Sequence, residues 1–230
     1  MFSLIMLEGT EEEGGEVSEE KKEEPRVSLF LSVILVLLLI VFIIFAGLIL
    51  YKYYAQVQPL SPVEYDLQRW EAAVKRNPKD ASAHMYLAWT HQQNKDYDKA
   101  EEEYKKALEL SDSLDDARYQ LGMVLVLQNK IPQAIAEFEF LVEKNQNNAL
   151  SWYQLGIIRY DQEKYKEALV DFKNALRVEP TWANIHREIG KTYEAIGENE
   201  QAIEEYKAAL QFLPDDTESI EGLKRLGAEE

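Results

Sequence analysis

The chain contains no cysteine among its 230 residues. This absence excludes disulfide bonds, thiolate metal sites and a cysteine nucleophile. Positive charge is also scarce, because 25 Lys and Arg residues stand against 42 Asp and Glu residues and give a formal net charge of −17. A nucleic-acid partner requires clustered Lys and Arg side chains that bind phosphates, so this composition argues against one.

Catalytic and metal-binding motifs are missing as well. The sequence has no G-x-S-x-G nucleophile elbow, no H-E-x-x-H zinc motif and no calcium-loop spacing. Its three histidines, His84, His91 and His186, occupy columns of the repeat described below, and we expect structural roles for them. The many Glu residues follow the pattern of solvated helix faces. We therefore predict no enzyme activity, no small-molecule substrate, no metal and no cofactor.

One long apolar run stands out against this polar background. Residues 27–50 include 24 consecutive residues without a charge. As a helix the run would be about 36 Å long, which is enough to cross a hydrocarbon core of about 30 Å. A cleaved signal peptide is disfavoured, since the run is too long, the segment before it is acidic and no A-x-A site follows. We predict a single-pass transmembrane anchor over residues 27–54, with its terminal tyrosines at the membrane interface.

The segment before the anchor, residues 1–26, is acidic. Nine Glu residues outnumber Lys21, Lys22 and Arg26 and leave a formal charge of −6. Low hydrophobicity and repeated Glu predict a disordered tail, with a specific acidic docking tail as the alternative.

In the rest of the chain, residues of the same type recur at a constant interval. This interval equals the number of positions between Trp70 and Tyr104. The aromatic column of this repeat consists of Trp70, Tyr104, Phe138, Phe172 and Tyr206, and its small column consists of Ala88, Gly122, Gly156 and Gly190. Each period holds two amphipathic stretches joined by a short polar turn, which predicts a pair of helices. One helix pair cannot bury its apolar face alone, so the pairs should stack into a solenoid.

These columns resemble the tetratricopeptide repeat, a unit of about 34 residues whose pattern is Trp/Leu-x2-Leu-Gly-x2-Tyr, followed by Ala-x3-Phe-x2-Ala and Pro. The resemblance covers roughly residues 61–216 and implies an all-α fold, an α-solenoid of four helix pairs behind one transmembrane helix. The four units are residues 81–114, 115–148, 149–182 and 183–216. Local departures are Leu141 at a small position and Asp112 and Gln146 at proline positions.

Cap helices are expected at both ends of the solenoid. After a linker over residues 55–60, residues 61–80 predict an N-terminal cap helix, because Ser61 and Glu64 form a capping box and Pro62 suits the first helical position. Residues 217–230 predict a C-terminal cap helix and tail, with Ile220, Leu223 and Leu226 on one side.

The resemblance also implies a binding groove along the first helix of each unit, at its fifth, ninth and twelfth positions. The candidate groove residues are Met85, Trp89, Tyr119, Met123, Val126, Tyr153, Ile157, Tyr160, Arg187 and Lys191. Their aromatic, Met and aliphatic side chains favour a protein or peptide partner, although packing among these residues alone is the alternative. One variety of the family binds acidic carboxyl termini through a Lys, Asn and Arg clamp, and the corresponding positions here do not supply it.

Two functions follow from this reading. The first is a membrane-anchored adaptor or scaffold that binds a partner in the groove. The alternative is a structural, self-associating protein that acts in the assembly of a membrane complex, and homo-oligomer formation is left open. Three basic residues lie shortly before the span, whereas only Lys52 follows it closely. The positive-inside bias therefore predicts a cytoplasmic N-terminus and an extracytoplasmic solenoid.

Overall fold

The computed structural model describes residues 29–56 and 60–228, which fall into two compact units divided at residue 59. The acidic tail, the start of the predicted anchor and residues 57–59 of the linker lie outside the described residues. Within the described ranges the chain forms eleven α-helices and no strand, so the all-α prediction is confirmed.

The first unit is the single helix α1, Leu29–Gln56. Its stretch Phe30–Tyr54 is long and apolar enough to cross a membrane by length and composition. None of its described side chains is buried, and Phe45, for example, is 66% exposed. A core helix of a soluble protein hides at least one apolar face, so α1 does not have the surroundings of such a helix.

The second unit contains the other ten described helices, and a single helix stands at each end of four helix pairs. The single helices are α2, Pro62–Arg76, and α11, Thr217–Arg225. The pairs are α3, Ala81–Gln93, with α4, Tyr97–Leu110; α5, Asp115–Leu127, with α6, Ile131–Lys144; α7, Ala149–Asp161, with α8, Tyr165–Val178; and α9, Ala183–Ile196, with α10, Asn199–Phe212. The first helices of successive pairs begin at the constant interval that the sequence repeat requires.

Each pair closes around one ring of the aromatic column. Phe172 on α8 is fully buried, and a Cβ added at Gly156 on α7 would lie 2.5 Å from its ring. The absence of a side chain at Gly156 therefore lets the two helices approach each other. Gly122 meets Phe138 in the same way at the preceding pair. This is the physical reason why the small and aromatic columns keep one period.

The turn inside every pair contains a residue with left-handed backbone conformation. These residues are Lys95, Asn129, Glu163 and Gly197, with φ angles of 63°, 58°, 60° and 84°, and they recur at the interval of the repeat. Only the fourth turn uses glycine, which adopts this conformation without a steric cost. The first and third turns therefore hold a side chain in a strained conformation.

The two end helices are covered to different extents. On α2, Ser61 Oγ accepts a hydrogen bond from Glu64 N at 3.2 Å and Glu64 Oε2 accepts one from Ser61 N at 2.8 Å, so the predicted capping box is present. No α2 side chain is fully buried. On α11, by contrast, Leu223 is buried and Gly222 lies against the ring of Tyr206. The C-terminal cap is thus the more tightly packed of the two.

Candidate functional site

The ten candidate groove residues lie on α3, α5, α7 and α9, the first helices of the four pairs. Trp89 is 44% exposed, and the other nine side chains are half-buried. We use the term groove face for the second, fifth, sixth, ninth, twelfth and thirteenth residues of these four helices, which share one side of each helix by their spacing of three and four.

Contacts between neighbouring units make the groove face continuous. Gln92 Nε2 donates to Gln120 Oε1 at 3.3 Å across the first junction. Gln154 Nε2 donates to the Tyr119 hydroxyl at 3.2 Å across the second. At the third, Lys191 Nζ lies 5.7 Å from the centre of the Tyr160 ring. The candidate positions of successive units therefore form one strip along the solenoid.

The strip contains three exposed apolar side chains that the candidate set omits. Tyr86, Leu127 and Leu150 are 44%, 54% and 51% exposed. Leu150 precedes Tyr153 by three residues and Leu127 follows Met123 by four, so the spacing that identified the candidates also predicts these two leucines. They widen the apolar part of the groove face in the second and third units.

Aromatic packing holds the half-buried tyrosines of the strip in place. The Tyr153 ring lies 5.9 Å from that of Phe172 and 5.1 Å from that of Trp182, measured between centroids. Tyr119 packs in the same way at 5.6 Å from Phe138. These contacts therefore hold the two tyrosine rings in fixed positions on the groove face, with one side of each ring against the core.

Two polar side chains of the groove face accept hydrogen bonds from the buried tyrosines of the aromatic column. The Tyr104 hydroxyl donates to Gln92 Oε1 at 2.9 Å, and the Tyr206 hydroxyl donates to Glu194 Oε2 at 2.7 Å. Burial raises the pKa of both hydroxyls, so they remain donors. Where the column contains phenylalanine, the twelfth position is Val126 or Tyr160. Sequence reading missed this pairing, although tyrosine and its acceptor stand twelve residues apart in both units.

The two candidate cations of the fourth unit are held by carboxylates. Arg187 Nη1 donates to Asp216 Oδ1 at 2.8 Å, and Lys191 Nζ lies 3.0 Å from Glu188 Oε2 and 3.6 Å from Glu218 Oε2. Burial acts to lower the pKa of Lys191, but its hydrogen bond to Glu188 and the nearby carboxylate charges outweigh this and raise it. The start of α11 thus closes this end of the strip with negative charge.

Family models of the tetratricopeptide repeat match residues 67–115, 92–155, 149–181 and 185–216. Their matches leave only a three-residue gap between residues 67 and 216. This chain belongs to the tetratricopeptide repeat family. No curated protein matches the chain significantly.

Solved structures of tetratricopeptide type share the fold. The crystal structure of MamA has a TM-score of 0.62 and 19% identity, and the match covers 68% of this chain and 97% of MamA. YrrB, described as a TPR protein with an unusual peptide-binding site, has a TM-score of 0.60 and 25% identity, with 76% and 87% covered. MamA 41-end from Desulfovibrio magneticus RS-1 has a TM-score of 0.62 and 18% identity, with 73% and 96% covered.

Two of the three histidines of this tetratricopeptide chain, His84 and His186, share one arrangement. His84 lies with Nδ1 2.5 Å from Glu103 and with Nε2 3.1 Å from the carbonyl oxygen of Pro78. His186 has the same arrangement three units later. In the third unit the column holds Trp152, whose Nε1 donates to the Gln146 carbonyl oxygen at 3.0 Å. The indole of Trp152 replaces the imidazole and keeps the hydrogen bond to the preceding turn, so this contact does not depend on a histidine. Among the described residues no His, Cys, Asp and Glu cluster of metal-binding type occurs.

Proposed function

We propose that this chain is a membrane-anchored adaptor whose solenoid binds a protein or peptide partner on the groove face. The observation that carries the proposal is the continuous strip of aromatic, Met and aliphatic side chains across the first three units. Monomeric proteins rarely expose contiguous apolar surface of this kind unless it binds something. The peptide-binding site named for YrrB supports a peptide as the ligand class.

The anchor part of the proposal rests on α1. Its apolar stretch spans 25 residues, and none of its described side chains is buried. Lys21, Lys22 and Arg26 stand before this stretch, so the positive-inside bias supports a cytoplasmic N-terminus and an extracytoplasmic solenoid. In this arrangement the groove face would recruit a partner outside the cytoplasm.

Site-specific photo-crosslinking in intact membranes tests the groove. A benzoylphenylalanine at position 89, in place of the exposed Trp89, should form an adduct with the partner. The double variant Leu127→Gln and Leu150→Gln should abolish that adduct and leave the fold intact, because both side chains are more than half exposed. A matched control places the same change at Val170 on α8, which is 59% exposed outside the groove face.

The adaptor proposal fails if the probe at position 89 yields no adduct, or if the double variant leaves the adduct unchanged. Helicity measured by circular dichroism accompanies each variant, so that a loss of binding is separated from unfolding. The Val170→Gln variant should retain the adduct at its original yield.

A structural, self-associating role is the second candidate, and one feature of α2 favours it. Trp70 occupies the aromatic column but is only half-buried, whereas the other four rings of that column are fully buried. It stacks on Tyr86 at 4.6 Å, and the nearby Tyr65 is 61% exposed. A crosslinked product with twice the mass of the chain would support this role over the adaptor.

A further inference from the structure

The groove face has no unpaired cation in the part of the chain that the structure describes. Its two basic residues are Arg187 and Lys191, and both contact carboxylates within 3.0 Å. Burial acts to lower the pKa of Arg187, but its hydrogen bond to Asp216 and the surrounding carboxylates raise it. The guanidinium therefore stays protonated, and the neighbouring carboxylates balance its charge. A partner with an acidic terminus would find no free positive charge here.

Carboxylates outnumber cations on this surface. Together with the residues of α11 and its N-cap Asp216 that contact it, the groove face holds three cations and six carboxylates, which gives a formal charge of −3. The cations are Arg187, Lys191 and Arg225, and the carboxylates are Asp116, Asp161, Glu188, Glu194, Asp216 and Glu218. Arg225 forms a paired hydrogen bond with Glu194 at 2.9 Å to each oxygen, so it is not free either.

Two of these carboxylates have no ion pair with any described residue. Asp116 is exposed at the start of α5, and Asp161 is exposed at the end of α7. A negative charge at a helix C-terminus is unfavourable, because the last carbonyl groups carry partial negative charge. Helix stability therefore does not account for Asp161. The same dipole favours Asp116 at the N-terminus of α5, so only Asp161 lacks a reason within its own helix.

Polar neutral groups fill the rest of the strip. Gln92, Gln120 and Gln154 bridge to other side chains rather than carrying charge. The result is an apolar stripe in units one to three, bordered by carboxylates at Asp116 and Asp161 and ended by the acidic start of α11.

We propose that the occupant of the groove face is a cationic peptide segment that places apolar side chains on the stripe and Lys or Arg side chains against Asp116 and Asp161. This inference rests on the proposed adaptor function and adds the chemistry of the partner. Complementary charge at a binding rim accelerates association and rejects partners of the wrong sign.

Selection from a random 15-residue peptide library tests the inference. The target is the full-length protein in nanodiscs made of phosphatidylcholine. This lipid has no net charge and does not itself attract cationic peptides. A parallel selection uses the Leu127→Gln and Leu150→Gln variant, so that only peptides specific to the groove face are retained. The retained peptides should combine apolar residues with a net positive charge.

The affinity of the most enriched peptide is then measured on two charge variants. Asp161→Lys should weaken binding by about fivefold to tenfold, because it replaces an attraction at the rim by a repulsion. Glu109→Lys makes the same change of charge at an exposed position of α4 and should alter affinity by less than about twofold. Raising the salt concentration should reduce the difference between wild type and Asp161→Lys.

Retained peptides that are neutral or acidic would overturn the inference and leave the adaptor function standing. Equal binding to wild type and Asp161→Lys would do the same. A library that yields no peptide specific to the groove face would overturn the adaptor function, and the inference with it.

Discussion

The tight packing around Tyr206 allows a prediction about stability in which helix propensity and overpacking act in opposite directions. Its ring is fully buried between α9 and α11. A Cβ added at Gly222 would overlap Cε2 of the ring, and a Cβ added at Gly190 would lie 2.8 Å from Cδ1 on the other side. The ring therefore cannot move away from one added methyl group without moving toward the opposite helix.

The change Gly222→Ala adds one methyl group beside this ring. Helix propensity alone would stabilise α11 by about 1 kcal/mol. Overpacking costs about 1–3 kcal/mol, and the upper end applies because the ring is held from both sides. We expect a net loss of about 2 kcal/mol, which corresponds to a fall in Tm of roughly 4–8 °C for a domain of this size.

Thermal unfolding of the full-length protein in nanodiscs, followed by circular dichroism, measures the effect. Ala136→Gly at an exposed position within α6 gives the propensity contribution in the same protein. The double variant Gly190→Ala with Gly222→Ala should lose more stability than the two single losses added together, since both changes act on one ring. A rise in Tm for Gly222→Ala would refute the reasoning, because it would mean that propensity outweighs packing.

Three further predictions concern charge, backbone and topology. Burial raises the pKa of Asp171 to about 6 despite the opposing Arg159, so this group's contribution to stability is present below its unfolded pKa of 3.8 and is lost as the pH rises through about 6. The loss in the free energy of unfolding is about 3 kcal/mol. Asp171→Asn should therefore reduce the dependence of this free energy, measured by urea unfolding, on pH between pH 4 and pH 7; an unchanged pH dependence would contradict this. Glu163→Gly should raise the free energy of unfolding by about 0.5–1 kcal/mol by relieving its left-handed backbone, and a loss of stability would count against strain there. A cysteine at Glu198 should react with a membrane-impermeant maleimide in intact cells and one at Gly14 should not, whereas the reverse pattern would place the solenoid in the cytoplasm.

The sequence period was sufficient to predict most of the fold. Repetition at a constant interval revealed the helix pairs, because every close contact between helices needs the same small residue opposite the same ring. The capping box of Ser61 and Glu64 was predicted for a local reason, since both partners lie within one turn. The strained turn residues Lys95 and Glu163 carried no such signal, because neither residue type favours the left-handed conformation.

The charged end of the candidate site could not be predicted in the same way. Arg187 and Lys191 have long side chains that could reach either solvent or a neighbouring helix, and only the position of α11 brings Asp216 and Glu218 to them. That position depends on Gly222, which lies two residues before the place where the repeat would put a small residue. The end helix follows the packing around Tyr206 and not the repeat.

The second unit has Arg118 in this column, but in the other three units a ring nitrogen of His84, Trp152 or His186 joins the unit to the turn before it. This contact bears on how such a chain changes length in evolution. The acceptor is a backbone carbonyl oxygen six residues upstream, which any amino acid supplies. Deleting residues 149–182 would bring His186 to the same separation from the Gln146 carbonyl that Trp152 has now. Loss of the third unit would therefore keep this contact at the new junction without a compensating substitution. The number of units can change in this way while the joint itself stays the same.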